Sequence, residues 1–151
     1  MNVDIKIRRA ERPDSPRLME LVRGLALHVK APEQVTVSPE HFEESGFGER
    51  PVWWAFVAET EGVIVGFALW YVRFSTWKGQ RLYLEDLYVE PEMRGRGIGT
   101  MLFKRLVAEA KTQQFSGMMW QALEWNEPAL RFYRNYNAGF ENGMLNCSID
   151  F

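Results

Sequence analysis

A chain of 151 residues, 46% hydrophobic and 25% charged, has the size and apolar content of one ordinary domain with a substantial core. Its formal net charge of −2 provides no field for nucleic acid or for an anionic membrane surface. The only cysteine, Cys147, and the two histidines, His28 and His41, exclude a disulfide framework within the chain and argue against a metal centre built on those residues. Met1 to Arg9 has no signal-peptide core, and no apolar run approaches the roughly 18 residues of a membrane span. The expectation is a single domain over 1–151, soluble and cytoplasmic, with no metal.

Val3, Ile5 and Ile7 alternate with charged residues, the period of a half-buried strand. Asp14-Ser15-Pro16 opens a helix with Asp14 as cap, and Leu18, Leu21, Val22, Leu25 and Val29 form an apolar stripe of helical period. Gly24 weakens that helix by roughly 1 kcal/mol against alanine, and Pro32 ends it. Ser38-Pro39-Glu40 opens a short second helix to about Ser45, closed by Gly46 and Gly48. Val52–Glu59 and Val63–Phe74 read as strands joined by a tight Glu61-Gly62 turn. Trp77-Lys78-Gly79 connects to a third strand, Arg81–Val89, and a long helix runs from Ile98 to about Gln114. Met118–Trp125 reads as another strand, Asn126 as the cap of a helix over Ala129 to about Tyr136, and Met144–Phe151 as a last strand. The order β-α-α-β-β-β-α-β-α-β predicts an α/β fold. Its mixed, mostly antiparallel central sheet has helices on both faces and a parallel crossover between strands 81–89 and 118–125.

The stretch Tyr83-Leu84-Glu85-Asp86-Leu87-Tyr88-Val89, followed by Pro91 and then Arg94-Gly95-Arg96-Gly97-Ile98-Gly99-Thr100, joins a strand to a helix through a glycine-rich turn. One reading is a turn that merely needs positive φ. The other is an anion site, because free N–H groups and the positive helix end converge where no Cβ obstructs approach. The spacing is neither that of a P-loop nor that of a dinucleotide fingerprint. Arg94 and Arg96 favour phosphate oxygens.

Glu85 and Asp86 are adjacent on a strand, so strict alternation sends them to opposite faces and they do not form a shared acid/base pair. They serve either as salt-bridging strand-end carboxylates or as a base near an amine. An alkylammonium, with a pKa of about 10.4, costs on the order of 4 kcal/mol to deprotonate near neutral pH, and a nearby carboxylate helps that proton leave. Asn126 reads as an N-cap that remains compatible with a ligand contact. Tyr133 reads either as a core aromatic beside Phe132 or as an acid for a departing thiolate.

Arg94, Gly97 and Gly99 match the Arg/Gln-x-x-Gly-x-Gly/Ala signature, and the element order resembles that of the GNAT superfamily of N-acetyltransferases. Gly46-Phe47-Gly48, Ser75-Thr76-Trp77-Lys78-Gly79, Tyr83-Leu84-Glu85-Asp86 and Glu124-Trp125-Asn126-Glu127-Pro128, with Phe132-Tyr133, resemble the diamine acetyltransferases, from about Ile5 to the C-terminus. The resemblance implies acetyl-CoA as cosubstrate, held by Leu87, Tyr88, Val89, Arg94, Gly95, Arg96, Gly97, Ile98, Gly99, Thr100, Asn126 and Tyr133. It implies Glu85 as the carboxylate that takes the amine proton and Tyr133 as the general acid. Glu85, His28, Ser75 and Trp77 stand at positions that meet the amine. It also implies a homodimer.

Two departures narrow the acceptor. The polyamine enzymes have a Tyr-Glu pair where this chain has His28 and Val29, and an aspartate where it has Ser75. The turn Ser75–Gly79 resembles the thialysine branch instead. Its substrate bears an α-carboxylate, for which Lys78 and Arg81 are candidate partners. Asn137 stands where the family usually has glycine, at a position that tolerates the left-handed conformation. The resulting reading is transfer of acetyl to a primary amine of a small molecule, thialysine or a short diamine. A non-catalytic acetyl-CoA sensor and a peptide or antibiotic N-acetyltransferase are the alternatives.

Overall fold

The computed structural model describes residues 4–151, so Val3, the first apolar residue of the predicted opening strand, lies outside the described residues. The chain divides into two compact units, one ending at Trp120 and one spanning Gln121–Phe151. In the first unit β1 (Lys6–Arg9), α1 (Ser15–His28) and α2 (Pro39–Phe47) precede the hairpin strands β2 (Trp54–Thr60), β3 (Val63–Ser75) and β4 (Gly79–Val89). Then come α3 (Ile98–Thr112) and β5 (Met118–Trp120). The five strands lie in sequence order; the first three ladders are antiparallel and β4–β5 is parallel. This is the mixed sheet that the sequence predicts. Among the described residues no helix is long and apolar enough to cross a membrane.

Period-2 alternation sorts the side chains of β2 and β3 between two faces. Ala55, Val57, Phe67 and Leu69 join Leu18, Met19 and Leu21 of α1, Phe42 of α2 and Trp53 in one buried cluster. On the opposite face, Arg105 of α3 lies 4.3 Å from the Phe56 ring centroid, and Phe103 meets Trp120 edge to face at 5.4 Å. Helices thus cover both faces. Glu109 of α3, 4% exposed, accepts hydrogen bonds from Arg9 of β1 at 2.5 Å and from Gln113 at 2.7 Å, tying the helix to the far edge strand. Burial pushes the Glu109 carboxyl up, and these bonds with the charges of Arg9 and Arg105 outweigh it, holding the group below the usual carboxylate range.

Several local readings change. The Asp14 carboxylate makes no cap bond; it accepts from both terminal nitrogens of Arg8, at 2.8 and 3.1 Å, and from the Glu11 N–H, in a short 3-10 turn that precedes α1. Ser38 does cap α2, through the His41 N–H at 3.0 Å. Gly46 does not close α2 but lies inside it: a Cβ there would come within 2.2 Å of the Trp53 ring. Gly24 likewise sits in an unbroken α1, where a Cβ would meet the Tyr88 hydroxyl at 2.9 Å. Both glycines sacrifice helix propensity for close approach of an aromatic ring.

The second unit contains α4 (Glu127–Arg134), capped by Asn126 as predicted, its Oδ1 accepting from the Ala129 N–H at 3.3 Å. Asn137 takes the left-handed conformation, φ 58°, that its position requires. The predicted strand 118–125 ends at Trp120, and Met144–Phe151 forms no strand. A strand needs a partner to satisfy its backbone groups. Here Met144, Leu145 and Ile149 stay more than 80% exposed on an extended, unpaired segment.

Replacing Gly46 with alanine tests the packing reading. The rigid Trp53 ring cannot accept a methyl group, so the overpacking cost of about 1–3 kcal/mol exceeds the roughly 1 kcal/mol of gained helix propensity. The expected result is a lower urea midpoint at unchanged slope.

Candidate active site

The glycine turn is built as an open backbone cradle. Gly95 and Gly97 have φ of 78° and 81°, a region costly for any side chain, and a Cβ at Gly95, Gly97 or Gly99 would touch nothing within 4 Å. Gly97 is the N-cap of α3, and the first intrahelical bond runs from the Met101 N–H to the Gly97 carbonyl at 3.0 Å. The N–H groups of Ile98, Gly99 and Thr100 therefore have no acceptor within the helix and point along its positive end. Arg94 is partly committed: its Nε donates to the Val89 carbonyl at 2.9 Å and its guanidinium lies 5.4 Å from the Tyr88 ring centroid. That contact fastens the turn to the end of β4. Arg96 is exposed.

In β4, Leu69 of β3 pairs with Asp86 while the next residue, Trp70, pairs with Leu84, so Glu85 is the extra residue of a β-bulge. This overturns the expectation that Glu85 and Asp86 face opposite sides. Directly opposed residues share a face, so Asp86 lies on the face of Leu69, and Tyr83 on that of its partner Tyr71. Leu69 and Tyr71 are two apart on β3 and therefore on one face. Glu85 joins them: its Oε2 accepts from the Tyr71 hydroxyl at 3.2 Å. The two carboxylates are neighbours after all. Burial, and then the charge of Glu85, push the Asp86 carboxyl up from 3.8 to about 6. Burial and the same charge push Tyr71 up to about 12, which keeps its phenol a donor at neutral pH.

β5 pairs only with Leu82–Leu84, so from Glu85 to Val89 that edge of β4 has no strand neighbour. Leu87, Tyr88 and Val89 occupy this open length, next to the glycine turn. At the other end of β4 the Ser75 hydroxyl oxygen accepts from the N–H groups of Trp77 and Lys78, at 3.2 and 3.1 Å. Ser75 thus holds its own turn, while Trp77 is 93% exposed and His28, at the end of α1, is exposed as well. Tyr71 and Tyr83, stacked with centroids 5.1 Å apart beside Glu85, went unnoticed in the sequence. Their signal is the i, i+2 spacing of Tyr83 and Glu85, which becomes informative once the hairpin register places Tyr71 opposite.

The model of the acetyltransferase (GNAT) family matches residues 17–140. The chain belongs to that family. Thialysine N-epsilon-acetyltransferase of Bos taurus is 37% identical over 142 residues, covering 89% of this chain and 84% of the relative. Spermidine/spermine N(1)-acetyltransferase-like protein 1 of Homo sapiens is 31% identical over 140 residues, 88% of this chain and 20% of that protein. Among solved structures, an aminoglycoside acetyltransferase from an uncultured soil metagenomic sample superimposes with a TM-score of 0.79 at 24% identity, covering 97% of this chain and 96% of that one. At that identity the likeness concerns the fold.

In this acetyltransferase the second unit carries Asn126 and Tyr133 on α4, one at the cap and one in the second turn. Tyr133 meets Phe132 edge to face at 5.6 Å, and burial pushes its phenol up, so it holds its proton at neutral pH.

The bulge has a consequence for stability. Between 3.8 and about 6 the folded chain keeps a proton on Asp86 that the unfolded chain has released, so stability falls as pH rises through that window. Asp86→Asn removes the burden and is expected to raise stability by roughly 1–3 kcal/mol above pH 6. That gain should vanish below pH 4. Thermal melts of both proteins across this range check it.

Proposed function

We propose that the chain is a single N-acetyltransferase domain that moves acetyl from acetyl-CoA to a primary amine of a small molecule, by direct attack. The observation that supports this most is the juxtaposition in β4 of a bulge carrying Glu85 with an uncovered strand edge that ends at the glycine cradle. The match to the family model spans residues of both units, which supports one functional domain.

The cradle fits a pyrophosphate: unobstructed backbone at Gly95, Gly97 and Gly99, free N–H groups at the α3 N-terminus, and a cation at Arg96. Leu87, Tyr88 and Val89 would offer backbone groups to the extended arm of the coenzyme, and Asn126 a side-chain amide. Acetyl-CoA supplies the activated acyl group. The protein's own part is to hold the amine, take up its proton at Glu85, and return a proton to sulfur from Tyr133. Tyr71 orients Glu85 by donating to Oε2, leaving the other oxygen for the amine or a bridging water. A backbone N–H near Leu87 meets the negative oxygen that develops during transfer.

The acceptor we assign is thialysine or a related short amine; relatives matched over 84% and 81% of their own length, from Bos taurus and Mus musculus, act by name on thialysine. We also assign a homodimer, supported by the exposed apolar side chains Met144, Leu145, Ile149 and Phe151 on a segment that forms no strand. Sedimentation at micromolar concentration should give twice the chain mass.

Thiol release from acetyl-CoA in the presence of lysine, thialysine or diamines tests the assignment. Glu85→Gln and Tyr133→Phe are each expected to lower kcat/KM by roughly 10²-fold or more. If both variants stay within about twofold of the unaltered protein, the roles given to these residues are wrong.

A further inference from the structure

The face of β3 and β4 that carries Tyr71, Tyr83 and Glu85 also carries two arginines, Arg73 and Arg81, directly opposed in the ladder. Like charges on opposed residues repel, and the pair resolves this by sending its guanidinium groups apart. Arg81 turns to the β5 side, donating to Ser116 Oγ and to the Met118 carbonyl, both at 3.4 Å. Lys78 sits in the β3–β4 turn rather than on the strand face. Neither of the cations that the sequence suggests for a substrate carboxylate is therefore placed beside Glu85.

Arg73 is. Its guanidinium lies 5.7 Å from the Tyr83 ring centroid, the side chain is exposed, and among the described residues no carboxylate forms an ion pair with it. Tyr83 and Glu85 are two residues apart on one strand, their Cα atoms at most roughly 7 Å apart. The cation packed on the Tyr83 ring and the anion at Glu85 thus share one face, with the Tyr71–Tyr83 stack beside them. An extended chain of five or six single bonds covers roughly 6–8 Å. That is the separation between the carboxylate carbon and the terminal nitrogen of a basic α-amino acid.

We infer that Arg73 binds the α-carboxylate of a basic amino acid whose terminal amine is held at Glu85, and so selects amino acids over diamines as acceptors. The planar guanidinium suits a carboxylate bidentately, and a diamine would instead bring a second cation against it. Arg73 is a specificity residue, remote from the reacting atoms. The inference rests on the amine acetyltransferase function proposed above, and the test separates the two.

Thiol release would be followed for the full chain and for Arg73→Gln and Arg73→Lys, with acetyl-CoA and either L-lysine, L-ornithine or cadaverine. The unaltered chain should favour the amino acids. Arg73→Gln should lower the lysine-to-cadaverine ratio of kcat/KM at least tenfold, mainly through the KM for lysine, and Arg73→Lys should recover part of it. A ratio that moves less than threefold in Arg73→Gln overturns the inference. So does an unaltered chain that acetylates cadaverine but neither amino acid, an outcome that leaves the proposed function standing. Absence of thiol release with any of the amines overturns the function itself, and the assignment of Arg73 with it.

Discussion

Because Leu69 pairs with Asp86 while Trp70 pairs with Leu84, one residue of β4 is left without a partner, and the rest of the site follows from where that residue falls. A bulge swaps the faces of every side chain beyond it. Before the bulge, Tyr83 and Glu85 lie with Tyr71 and Arg73; after it, Asp86 and Tyr88 lie on that same face. Tyr88 then enters the cluster with α1, and among the described residues β5 pairs with β4 only as far as Leu84. A regular strand would keep Glu85 and Tyr83 on one face but send Asp86 to the face covered by α3. The bulge instead joins a packed half-strand to an open one.

Glycine serves two different purposes around this strand. At Gly24 and Gly46 the missing Cβ makes room for Tyr88 and Trp53, so the helices that cover the face come close enough to fix it. At Gly95 and Gly97 nothing stands in the way of a Cβ, and what matters is the positive φ that turns backbone N–H groups outward. The first pair stabilises packing. The second shapes the turn that is proposed to hold the pyrophosphate. Arg94 links the two, since it closes on the Val89 carbonyl and covers the Tyr88 ring whose hydroxyl faces Gly24.

The sequence carried the order of strands and α-helices through the last helix, both faces of the sheet and the glycine turn, because period-2 and period-3.6 patterns and helix punctuation are local signals. Ser38 and Asn126 cap as their positions suggest. Asp14 does not, because a non-local partner, Arg8 on β1, takes its carboxylate first. The shift of Glu85 and Asp86 onto one face was illegible for a related reason: a bulge is a property of two strands in register, and nothing in Tyr83–Val89 alone marks it. The strand expected at Met144–Phe151 has the right composition, yet composition cannot supply the neighbour whose hydrogen bonds make a strand.

Electrostatics explains why the arrangement on β4 is tolerated at all. Two adjacent carboxylates on one face repel, and burial together with the charge of Glu85 pushes the Asp86 carboxyl up to about 6. The sheet carries that cost because the ladders on either side of the bulge, Gly66–Leu69 with Asp86–Val89 and Trp70–Ser75 with Gly79–Leu84, are long and continuous. A negative field is thereby held near Glu85, which in the proposed reaction would lower the free energy of an ammonium there. The same field would favour an ammonium over its neutral form and oppose the proton loss that attack requires. Tyr71 and Asp86 act on this conflict in opposite senses: the phenol stabilises the charge on Glu85, and Asp86, half-protonated near pH 6, reduces the total charge as the medium becomes acidic. In the proposed reaction, binding and deprotonation therefore make competing demands on one bulge, and the pair of carboxylates with a tyrosine donor would be a physical compromise between them.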